Sequence, residues 1–504
     1  MTRQAYVAPE PVLDRSHQTF ADLLEAAAAA FPDQEAYVDG DLRVTYARWR
    51  ELADGLAGGL VERGLRPGDV LLIGVETSFD FALCFAAAQL AGAVASGVNT
   101  RLGPREIAAI VERTQPRFLV VEDDAQPSAG PAIIRRSELA GLCQYAPLGA
   151  ARPRRTASDP AVIIWTSGTT GLPKGAWFDH DNLKSAVLTS GPMGAPLARK
   201  LNGTPFAHAG YLAKVWEQVA FGMTTVLSGN PWTAAAMRRL LVDERINIAG
   251  GAPTQWAKLL ELPDIETCDV SNLRIGICAT APAPPELVER FVRVFGCPLI
   301  VRYSMTECPS VAGTRPGDDP EVLFRTVGRP QPGITVQLVD DSGRVVPDGE
   351  VGRIRVHAPG VMRGYWGDPE RTAEVLSDGW LLSGDLARID PAGNIVIAGR
   401  TSEMYIRGGY NVYPIEVERV LDEHPGVASA VVVGKLAPTI GEIGVAFVIP
   451  ADPAAPPALA DLRAWVRERL ADYKAPDELV LIDALPLTNM MKIDKQALKA
   501  RLAL

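Results

Sequence analysis

A run of hydroxyl-bearing and glycine residues that ends in one lysine carries the strongest chemical signal in the chain. The run reads Thr166-Ser167-Gly168-Thr169-Thr170-Gly171-Leu172-Pro173-Lys174. It directly follows an apolar segment, residues 160–164, which predicts a buried strand. Backbone N–H groups, side-chain hydroxyls and an ammonium at such a strand end bind the oxygens of a phosphate chain. The run therefore predicts a nucleotide-phosphate loop.

Other well-known nucleotide and hydrolase patterns are absent from the sequence. The P-loop of common nucleoside triphosphatases has glycine before its lysine and Ser or Thr after it, whereas Pro173 and Gly175 flank Lys174. No two glycines are separated by one residue, so G-x-G-x-x-G is missing, and G-x-S-x-G is missing as well. These absences argue against a classical Rossmann dehydrogenase and against an α/β-hydrolase.

The loop and several later segments, in the same order, resemble the adenylate-forming superfamily of acyl-CoA synthetases, peptide-synthetase adenylation domains and luciferases. Beside the loop, the resemblance rests on residues 89–105, 205–208, 278–282, 303–307, 383–385, 399–400, 408–418 and 486–493. It implies an α/β fold with a large, multi-subdomain N-terminal domain, residues 1–400. It also implies a small mobile α+β lid domain, residues 401–504, with its hinge near Ser402.

The resemblance implies an ATP site that also holds Mg²⁺. Tyr303 is expected to stack on adenine, Thr306 to hydrogen-bond the α-phosphate, and Glu307 to hold the metal, because Mg²⁺ prefers carboxylate and phosphate oxygens. A carboxylate accepts both hydroxyls of a ribose, which is the role expected of Asp385, and Arg400 is expected to contact ribose and phosphate. The complete predicted ATP-binding set is Thr166, Ser167, Gly168, Thr169, Thr170, Gly171, Lys174, Ala279, Thr280, Ala281, Tyr303, Thr306, Asp385, Ile397, Arg400 and Lys492.

The resemblance also implies a pocket for the acid substrate. Its predicted lining is His208, Ala209, Gly210, Lys214, Trp256, Ile277, Cys278 and Arg302. Lys214 is the unusual member, and two interpretations stand: a helix-end side chain that reaches solvent, or a buried cation that requires an anionic partner. The second interpretation favours an acid with a second carboxylate, a phenolate or a small inorganic anion over a long-chain fatty acid.

Two half-reactions in one site are implied. In the first, AMP is transferred from ATP to a carboxylate and pyrophosphate is released, with Lys174, Thr306, Glu307 and Lys492 as the predicted catalytic residues. Lys492 is expected to reach both the acid carboxylate and the α-phosphate. In the second, a thiol attacks the acyl-adenylate after the lid domain rotates, and Gly408 and Gly409 are expected to leave room for the pantetheine arm of coenzyme A.

The sequence departs from the superfamily pattern at a few positions. Ala207 stands where an aromatic residue is usual, Ser304 and Met491 stand where glycine is usual, and Ser402 stands where Asp or Lys is commoner. These departures leave room for a specialised member of the superfamily.

An AMP-forming acid–CoA ligase that uses ATP, Mg²⁺ and coenzyme A is the leading hypothesis. One alternative is adenylation of another anion, such as nitrite-dependent diazotisation of an aryl amine. Another is the loading of a separate carrier protein, since no carrier domain is evident after Lys495. A non-catalytic ATP-binding interaction protein is a distant third hypothesis.

Composition limits the remaining classes of function. The length of 504 residues predicts two or more domains. A net charge of −10 without a basic stripe argues against nucleic-acid binding. The six cysteines are scattered without C-x-x-C, which predicts reduced thiols rather than a zinc site. The N-terminal residues lack the apolar core of a secretory signal, so we expect a cytoplasmic protein.

The elements that position these residues follow from the apolar pattern. Strand-like runs at residues 69–75 and 117–121 alternate with helical patterns at residues 51–63 and 233–246, which indicates an α/β fold. The uncharged run at residues 81–100 is Ala-rich, and we interpret it as a buried helix that leads into a strand, not as a membrane span. After residue 400 the sequence predicts three strands and two helices, at residues 428–434, 444–449, 459–471, 479–482 and the C-terminus.

Overall fold

The computed structural model describes residues 10–13, 16–126, 130–166, 172–229, 232–278, 283–438, 440–487 and 493–502. The chain packs as two compact units. The large unit consists of Met1–Val336 and Val356–Leu381, and the small unit consists of Gln337–Arg355 and Leu382–Leu504. The small unit takes in residues before Ser402 because β20 and β21, defined below, pair as a hairpin. The predicted hinge near Ser402 and the boundary after residue 400 stay predictions.

Helices and strands alternate along the first two thirds of the chain. In order they are α1 (Phe20–Ala30), β1 (Glu35–Asp39), β2 (Leu42–Thr45), α2 (Tyr46–Glu62), β3 (Val70–Gly74), α3 (Phe79–Leu90), β4 (Val94–Gly97), α4 (Pro104–Thr114), β5 (Phe118–Val121), β6 (Ala132–Arg135), α5 (Leu139–Leu142), β7 (Pro160–Thr166), β8 (Lys174–Asp179), α6 (His180–Thr189), β9 (Arg199–Asn202), α7 (Ala209–Leu212), α8 (Val215–Ala220), β10 (Thr224–Leu227), α9 (Ala234–Asp243), β11 (Ile248–Gly251), α10 (Pro253–Leu260), β12 (Ile275–Cys278), α11 (Pro285–Phe295), β13 (Leu299–Met305), β14 (Cys308–Gly313), α12 (Pro320–Arg325) and β15 (Arg329–Pro330).

The remaining third is richer in antiparallel strands. It contains β16 (Thr335–Val339), β17 (Gly352–His357), β18 (Gly364–Tyr365), α13 (Pro369–Val375), β19 (Leu376–Ser377), β20 (Trp380–Ile389), β21 (Ile395–Arg400), β22 (Tyr405–Arg407), β23 (Tyr410–Val412), α14 (Pro414–Asp422), β24 (Val427–Ala437), β25 (Gly441–Pro450), α15 (Leu459–Arg467), β26 (Glu478–Leu481) and α16 (Lys495–Arg501). The predicted α/β class, with a large N-terminal and a smaller C-terminal domain, is confirmed.

The uncharged run at residues 81–100 forms α3 and β4, as predicted. Every residue of α3 from Phe81 to Leu90 is buried, so this helix needs no polar face. The side-chain amide of Gln89 donates to the backbone carbonyl of Ala161 at 2.9 Å, which satisfies a polar group inside the core. Among the described residues, no helix combines the length and the apolar character needed to cross a bilayer.

Two largely parallel sheets form the frame of the large unit. Their strand orders are β15-β14-β13-β12-β11-β9-β10-β1-β2 and β18-β8-β7-β4-β3-β5-β6. The strands β9, β11, β12 and β13 run parallel, and so do β3, β4 and β7. The carboxyl ends of parallel strands lie at one edge of a sheet, which is where ligands bind in open α/β folds. Many predicted site residues of the large unit lie at or after the carboxyl ends of β7, β9, β12 and β13, which places them toward that edge of each sheet.

The small unit is an α+β structure built around a long antiparallel pair. β24 and β25 pair along almost their whole length, and β26 adds to β25 in parallel. Apolar side chains of α14 and α15 pack on one face of this sheet, while Leu498 of α16 packs with the other. Because both faces of the sheet are covered, the unit has a core of its own.

The six cysteines all lie in the large unit. All six are free thiols. Burial raises the pKa of the Cys278 and Cys297 thiols to about 12, so these groups stay neutral at physiological pH.

A cluster of charged side chains holds α16, the last helix, against the rest of the small unit. The ammonium of Lys495, at the start of α16, lies 2.8 Å from a carboxylate oxygen of Glu403 and 2.9 Å from one of Glu418. Burial raises the pKa of Glu418, and the charge of Lys495 opposes that rise. Removing the ammonium would therefore leave a buried carboxylate without its counter-charge.

We predict that Lys495→Met destabilises the small unit by about 2 to 4 kcal/mol at neutral pH, a value reduced from the fully buried case because the pair is partly solvated. In the variant the pKa of Glu418 rises further, because the ammonium that opposed the rise is gone. A carboxyl group with a raised folded-state pKa is favourable when protonated, so the deficit should shrink as the pH falls. Urea unfolding at two pH values measures this loss of stability and its change with pH. Lys499→Met, on the same helix, is the control. Equal midpoints for the two variants would contradict it.

Candidate active site

Both ends of the predicted phosphate loop are held by a β-ladder. β7 and β8 pair antiparallel, and Thr166 lies directly opposite Lys174 at the end of that ladder. Residues 167–171, which include the predicted Ser167, Gly168, Thr169, Thr170 and Gly171, lie outside the described residues. The ladder fixes where the loop leaves the sheet and where its lysine returns to it.

A tyrosine connects the loop lysine with the predicted metal carboxylate. The hydroxyl of Tyr365 donates to Oε1 of Glu307 at 2.7 Å, and the ammonium of Lys174 lies 5.4 Å from the centre of the Tyr365 ring. Burial raises the pKa of Tyr365, and the negative charge of Glu307 raises it further. Tyr365 therefore remains protonated and acts as a donor. We call Lys174, Tyr365 and Glu307 the bridging cluster.

Tyr365 was not among the residues predicted from the sequence. It lies on β18, a strand of two residues that adds antiparallel to β8, with Tyr365 opposite Ala176. The backbone N–H of Trp366 donates to the carbonyl of Gly175 at 2.7 Å and extends this pairing. The only sequence signal was a glycine and two aromatic residues shortly before Asp368, the residue that caps α13, and this pattern implies no chemistry by itself.

The predicted adenine and metal residues lie at the end of β13. Tyr303 lies within this strand, and Thr306 and Glu307 form the turn into β14. The pairing of β13 with β14 is irregular between Tyr303 and Met305, which locally changes the direction of the chain. The backbone carbonyl of Glu307 accepts the N–H of Met362 at 2.9 Å. Tyr303, Thr306 and Glu307 are half-buried, so each still presents surface to a ligand.

The residues around Glu307 fit a metal that shares its ligands with a nucleotide. Tyr365 occupies one carboxylate oxygen of Glu307. Among the described residues there is no group of three or more His, Cys, Asp or Glu side chains that would hold a metal without a nucleotide. Mg²⁺ commonly binds through one or two carboxylates together with substrate phosphates, which is the arrangement that Glu307 allows.

The predicted histidine of the acid pocket begins a helix. His208 follows β9, and its Nδ1 accepts the N–H of Gly210 at 3.3 Å at the start of α7. The rings of Phe206 and Tyr211 stack at 3.6 Å on either side of this turn. His208 is half-buried and Gly210 is exposed, whereas Ala209 is buried. The stacked rings hold the turn so that the histidine is positioned by the core.

Lys214 and Arg302 carry the charge near the predicted pocket. Lys214 is half-buried, and burial lowers its pKa to about 8, against the opposing charge of Glu217. The guanidinium of Arg302 donates to the carbonyls of Thr189 at 2.6 Å and Ser190 at 3.2 Å. Arg302 is thus held at the C-terminal end of α6, where helix carbonyls favour a cation.

The remaining predicted pocket residues lie in or next to the core of the large unit. Trp256 is fully buried, packs edge-on against Phe291 with ring centres 4.9 Å apart, and donates from its indole nitrogen to the carbonyl of Ile277 at 3.1 Å. Ile277 and Cys278 are also buried. Trp256 therefore packs against β12 from the core of the large unit and supports this strand. The predicted adenine residues Ala279, Thr280 and Ala281 lie outside the described residues.

The small unit holds the predicted ribose residues as neighbours. Asp385 and Arg400 lie opposite each other on β20 and β21, and Nε of Arg400 is 2.8 Å from Oδ1 of Asp385. The hydroxyl of Ser383 accepts the N–H of Asp385 at 3.0 Å. Ile397 lies on β21, three positions before its last residue, Arg400, and it is half-buried. The arrangement brings the carboxylate and the guanidinium together as one polar pair.

The predicted thiolation glycines form a tight turn in the small unit. Gly408 and Gly409 connect β22 to β23, with φ angles of 58° and 87°. Two consecutive positive φ angles are characteristic of the two-residue turns that strongly favour glycine. The N–H of Gly408 donates to the carbonyl of Ile440 at 2.8 Å. Ser402 is exposed, and the predicted Lys492 lies outside the described residues.

Comparisons with known families and proteins agree with this geometry. The model of the AMP-binding enzyme family matches residues 24–366, and the model of the AMP-binding enzyme C-terminal domain matches residues 416–492. The first match alone covers more than half of the chain.

Individual proteins match over nearly their whole length. A feruloyl-CoA synthase from Amycolatopsis sp is 35% identical over 485 residues, covering 93% of this chain and 96% of that protein. The fatty acid–[acyl-carrier-protein] ligase ScoC from Streptomyces coeruleorubidus is 31% identical over 517 residues, covering 97% and 98%. The crystal structure of ATP-bound MatB from Rhodopseudomonas palustris has a TM-score of 0.87 at 28% identity, covering 95% and 98%. The chain belongs to the AMP-binding enzymes of the adenylate-forming superfamily, and it is an AMP-forming acid–CoA ligase or a closely related adenylate-forming ligase.

Proposed function

We propose that this enzyme activates a carboxylic acid with ATP, releases pyrophosphate, and transfers the acyl group from the resulting acyl-adenylate to coenzyme A. We further propose that the acid is polar or aromatic and not a long-chain fatty acid. The observation that carries the proposal is the bridging cluster, because it joins a phosphate-loop lysine to a carboxylate suited to Mg²⁺.

The first half-reaction needs positioning and charge neutralisation more than a protein nucleophile. An oxygen of the acid carboxylate attacks the α-phosphorus of ATP, an O–P bond forms, and the bond to pyrophosphate breaks. Lys174, Thr306 and Lys492 are proposed to stabilise the negative charge on the phosphate oxygens during this step. When bound at Glu307, Mg²⁺ supplies further positive charge to the same oxygens.

Residues of the small unit are proposed to serve both half-reactions. Asp385 and Arg400 hold the ribose, since their paired side chains offer an acceptor and a donor side by side. Lys492 acts in adenylate formation. In the second half-reaction the sulfur of coenzyme A attacks the acyl carbon and AMP leaves, and the turn at Gly408 and Gly409 allows the thiol arm to pass close to the backbone.

The similar proteins support different parts of the substrate proposal. The name of the feruloyl-CoA synthase, at 35% identity, supports an aromatic acid and coenzyme A. The name of ScoC, at 31% identity, supports a second proposal, in which the acid is a fatty acid and the acceptor is a separate carrier protein. The partly buried cation at Lys214 favours the polar or aromatic acid, because an alkyl chain offers it no partner.

Pyrophosphate release identifies the substrate class directly. We expect ATP and Mg²⁺ to give pyrophosphate with an aryl or dicarboxylic acid, and to give the acyl-CoA by mass when coenzyme A is added. The panel includes fatty acids, and nitrite together with amino-aryl acids. Release with long-chain fatty acids alone would contradict the substrate proposal, and release only with nitrite would favour the alternative activator.

Lys492→Ala tests the assignment of the adenylation lysine. We expect pyrophosphate release to fall about a hundredfold or more, because one charge at the transition state is lost, while ATP binding persists. Lys499→Ala, a change on the nearby helix α16, is the control. Unchanged pyrophosphate release in Lys492→Ala would remove this residue from the catalytic set.

Tyr365→Phe tests the bridging cluster. The change removes the donor to Glu307 and keeps the ring beside Lys174, so kcat/KM for ATP should fall about tenfold, as expected for a hydrogen bond to a charged group. The concentration of Mg²⁺ needed for half-maximal rate should also shift. Tyr145→Phe, at an exposed tyrosine of the large unit, should leave both quantities unchanged, and identical behaviour of the two variants would contradict the role of Tyr365.

A further inference from the structure

A small cavity in the large unit lies beside segments that lead to the predicted site. It has a volume of about 20 Å³, enough for roughly one water-sized group. Lys214 and Ala213 form one wall, Thr189 of α6 forms a second, and Pro309 and Ser310 of β14 form a third. Lys214 comes six residues after His208, and Ser310 comes three residues after Glu307.

The other charges near Lys214 already have close partners. The ammonium of Lys200 lies 3.4 Å from Oε1 of Glu217, which is wholly buried. Arg302 is bound to the carbonyls at the end of α6. The nearby thiol of Cys308 is neutral, because burial raises its pKa to about 12. Lys214 therefore feels two neighbouring cations, Lys200 and Arg302, and the carboxylate of Glu217, which is paired with Lys200.

Lys214 is the member of this group without a close partner. Within the described residues, its ammonium forms neither a hydrogen bond nor an ion pair, and it feels Glu217 only through the field of that charge. A pKa of about 8 means that the ammonium is still mostly charged at neutral pH. A partly buried charge of this kind is stabilised by any anion or oxygen acceptor that enters the cavity.

We propose that Lys214 binds an oxygen at the far end of the acid substrate, so that the enzyme selects acids that carry a second carboxylate or a phenolic oxygen. This inference rests on the proposed function, in which the reacting carboxylate attacks the α-phosphate that Lys174 and Thr306 contact. The acid extends from there past His208, and its distal oxygen enters the cavity between Lys214 and Ser310. An acid with only hydrogen or an alkyl group at its distal end would cover the ammonium without offering it an acceptor. The enzyme therefore uses such an acid with a lower kcat/KM.

Matched acids separate the distal oxygen from the rest of the substrate. Cinnamic acid, 4-hydroxycinnamic acid and 4-carboxycinnamic acid share one skeleton and differ at one position. We expect kcat/KM for pyrophosphate release to be about tenfold or more higher for one or both substituted acids than for cinnamic acid. The comparison between the two substituted acids distinguishes a phenolic oxygen from a carboxylate.

Lys214→Met should abolish this preference by lowering kcat/KM for the substituted acids and raising it for cinnamic acid, because cinnamic acid then no longer covers an unpaired charge. Lys184→Met is the matched control, because Lys184 lies on α6 but pairs with Asp181 at 3.1 Å and does not line the cavity. A Lys214→Met enzyme that keeps the wild-type preference would overturn the inference. Absence of pyrophosphate with every acid in the wild-type enzyme would instead overturn the proposed function.

The pH dependence gives a second test that does not rely on Lys214→Met folding. The Lys214 ammonium is charged below its pKa and neutral above it, so the preference for the 4-carboxy acid should decline as the pH rises through about 8. Lys214→Arg keeps its charge throughout this range, so its preference should persist at high pH. Equal pH profiles for the wild type and Lys214→Arg would overturn the inference.

Discussion

The hydrogen bond from Tyr365 to Glu307 joins the two sheets that frame the large unit. Tyr365 lies on a short strand added to the sheet of β7 and β8, and Glu307 follows β13 of the other sheet. Each sheet alone delivers its residues to the carboxyl ends of its strands. This bond relates those two edges, because it places the carboxylate of Glu307 beside the strand that begins with Lys174. The geometry of the proposed phosphate chemistry depends on that relation.

Much of the fold could be predicted from the sequence, because apolar residues recur with the simple periods of helices and strands. The uncharged run at residues 81–100 was correctly divided into a buried helix and a strand, since alanine-rich segments of that length pack well inside α/β cores. The helix predicted at residues 233–246 corresponds to α9, with an end that differs by a few residues. Such differences are expected, because helix ends depend on capping contacts that periodicity does not contain.

The site was less predictable than the fold because some of its residues act through tertiary contacts alone. Tyr365 lies about sixty residues from Glu307 in the chain, and no local pattern links the two. Trp256 is predicted to line the acid pocket, and this stays a prediction; the structure shows its indole fully buried and hydrogen-bonded to the carbonyl of Ile277. A tryptophan in the sequence does not reveal which way its ring faces. Lys214 left two interpretations open for the same reason. The residue is half-buried beside other cations, and its contact with an anionic substrate stays a proposal.

The Lys214 ammonium, which has no ion-pair partner in the part of the chain that the structure describes, also has a consequence for the free protein. A half-buried ammonium without a close counter-ion lowers the stability of the fold, since burial of a charge opposes folding. Proteins often retain such local frustration where activity requires it, and they offset it elsewhere in the structure. A substrate that neutralises the ammonium would then act as a folding ligand, and the thermal stability of the large unit would report which acids the cavity accepts before any turnover occurs.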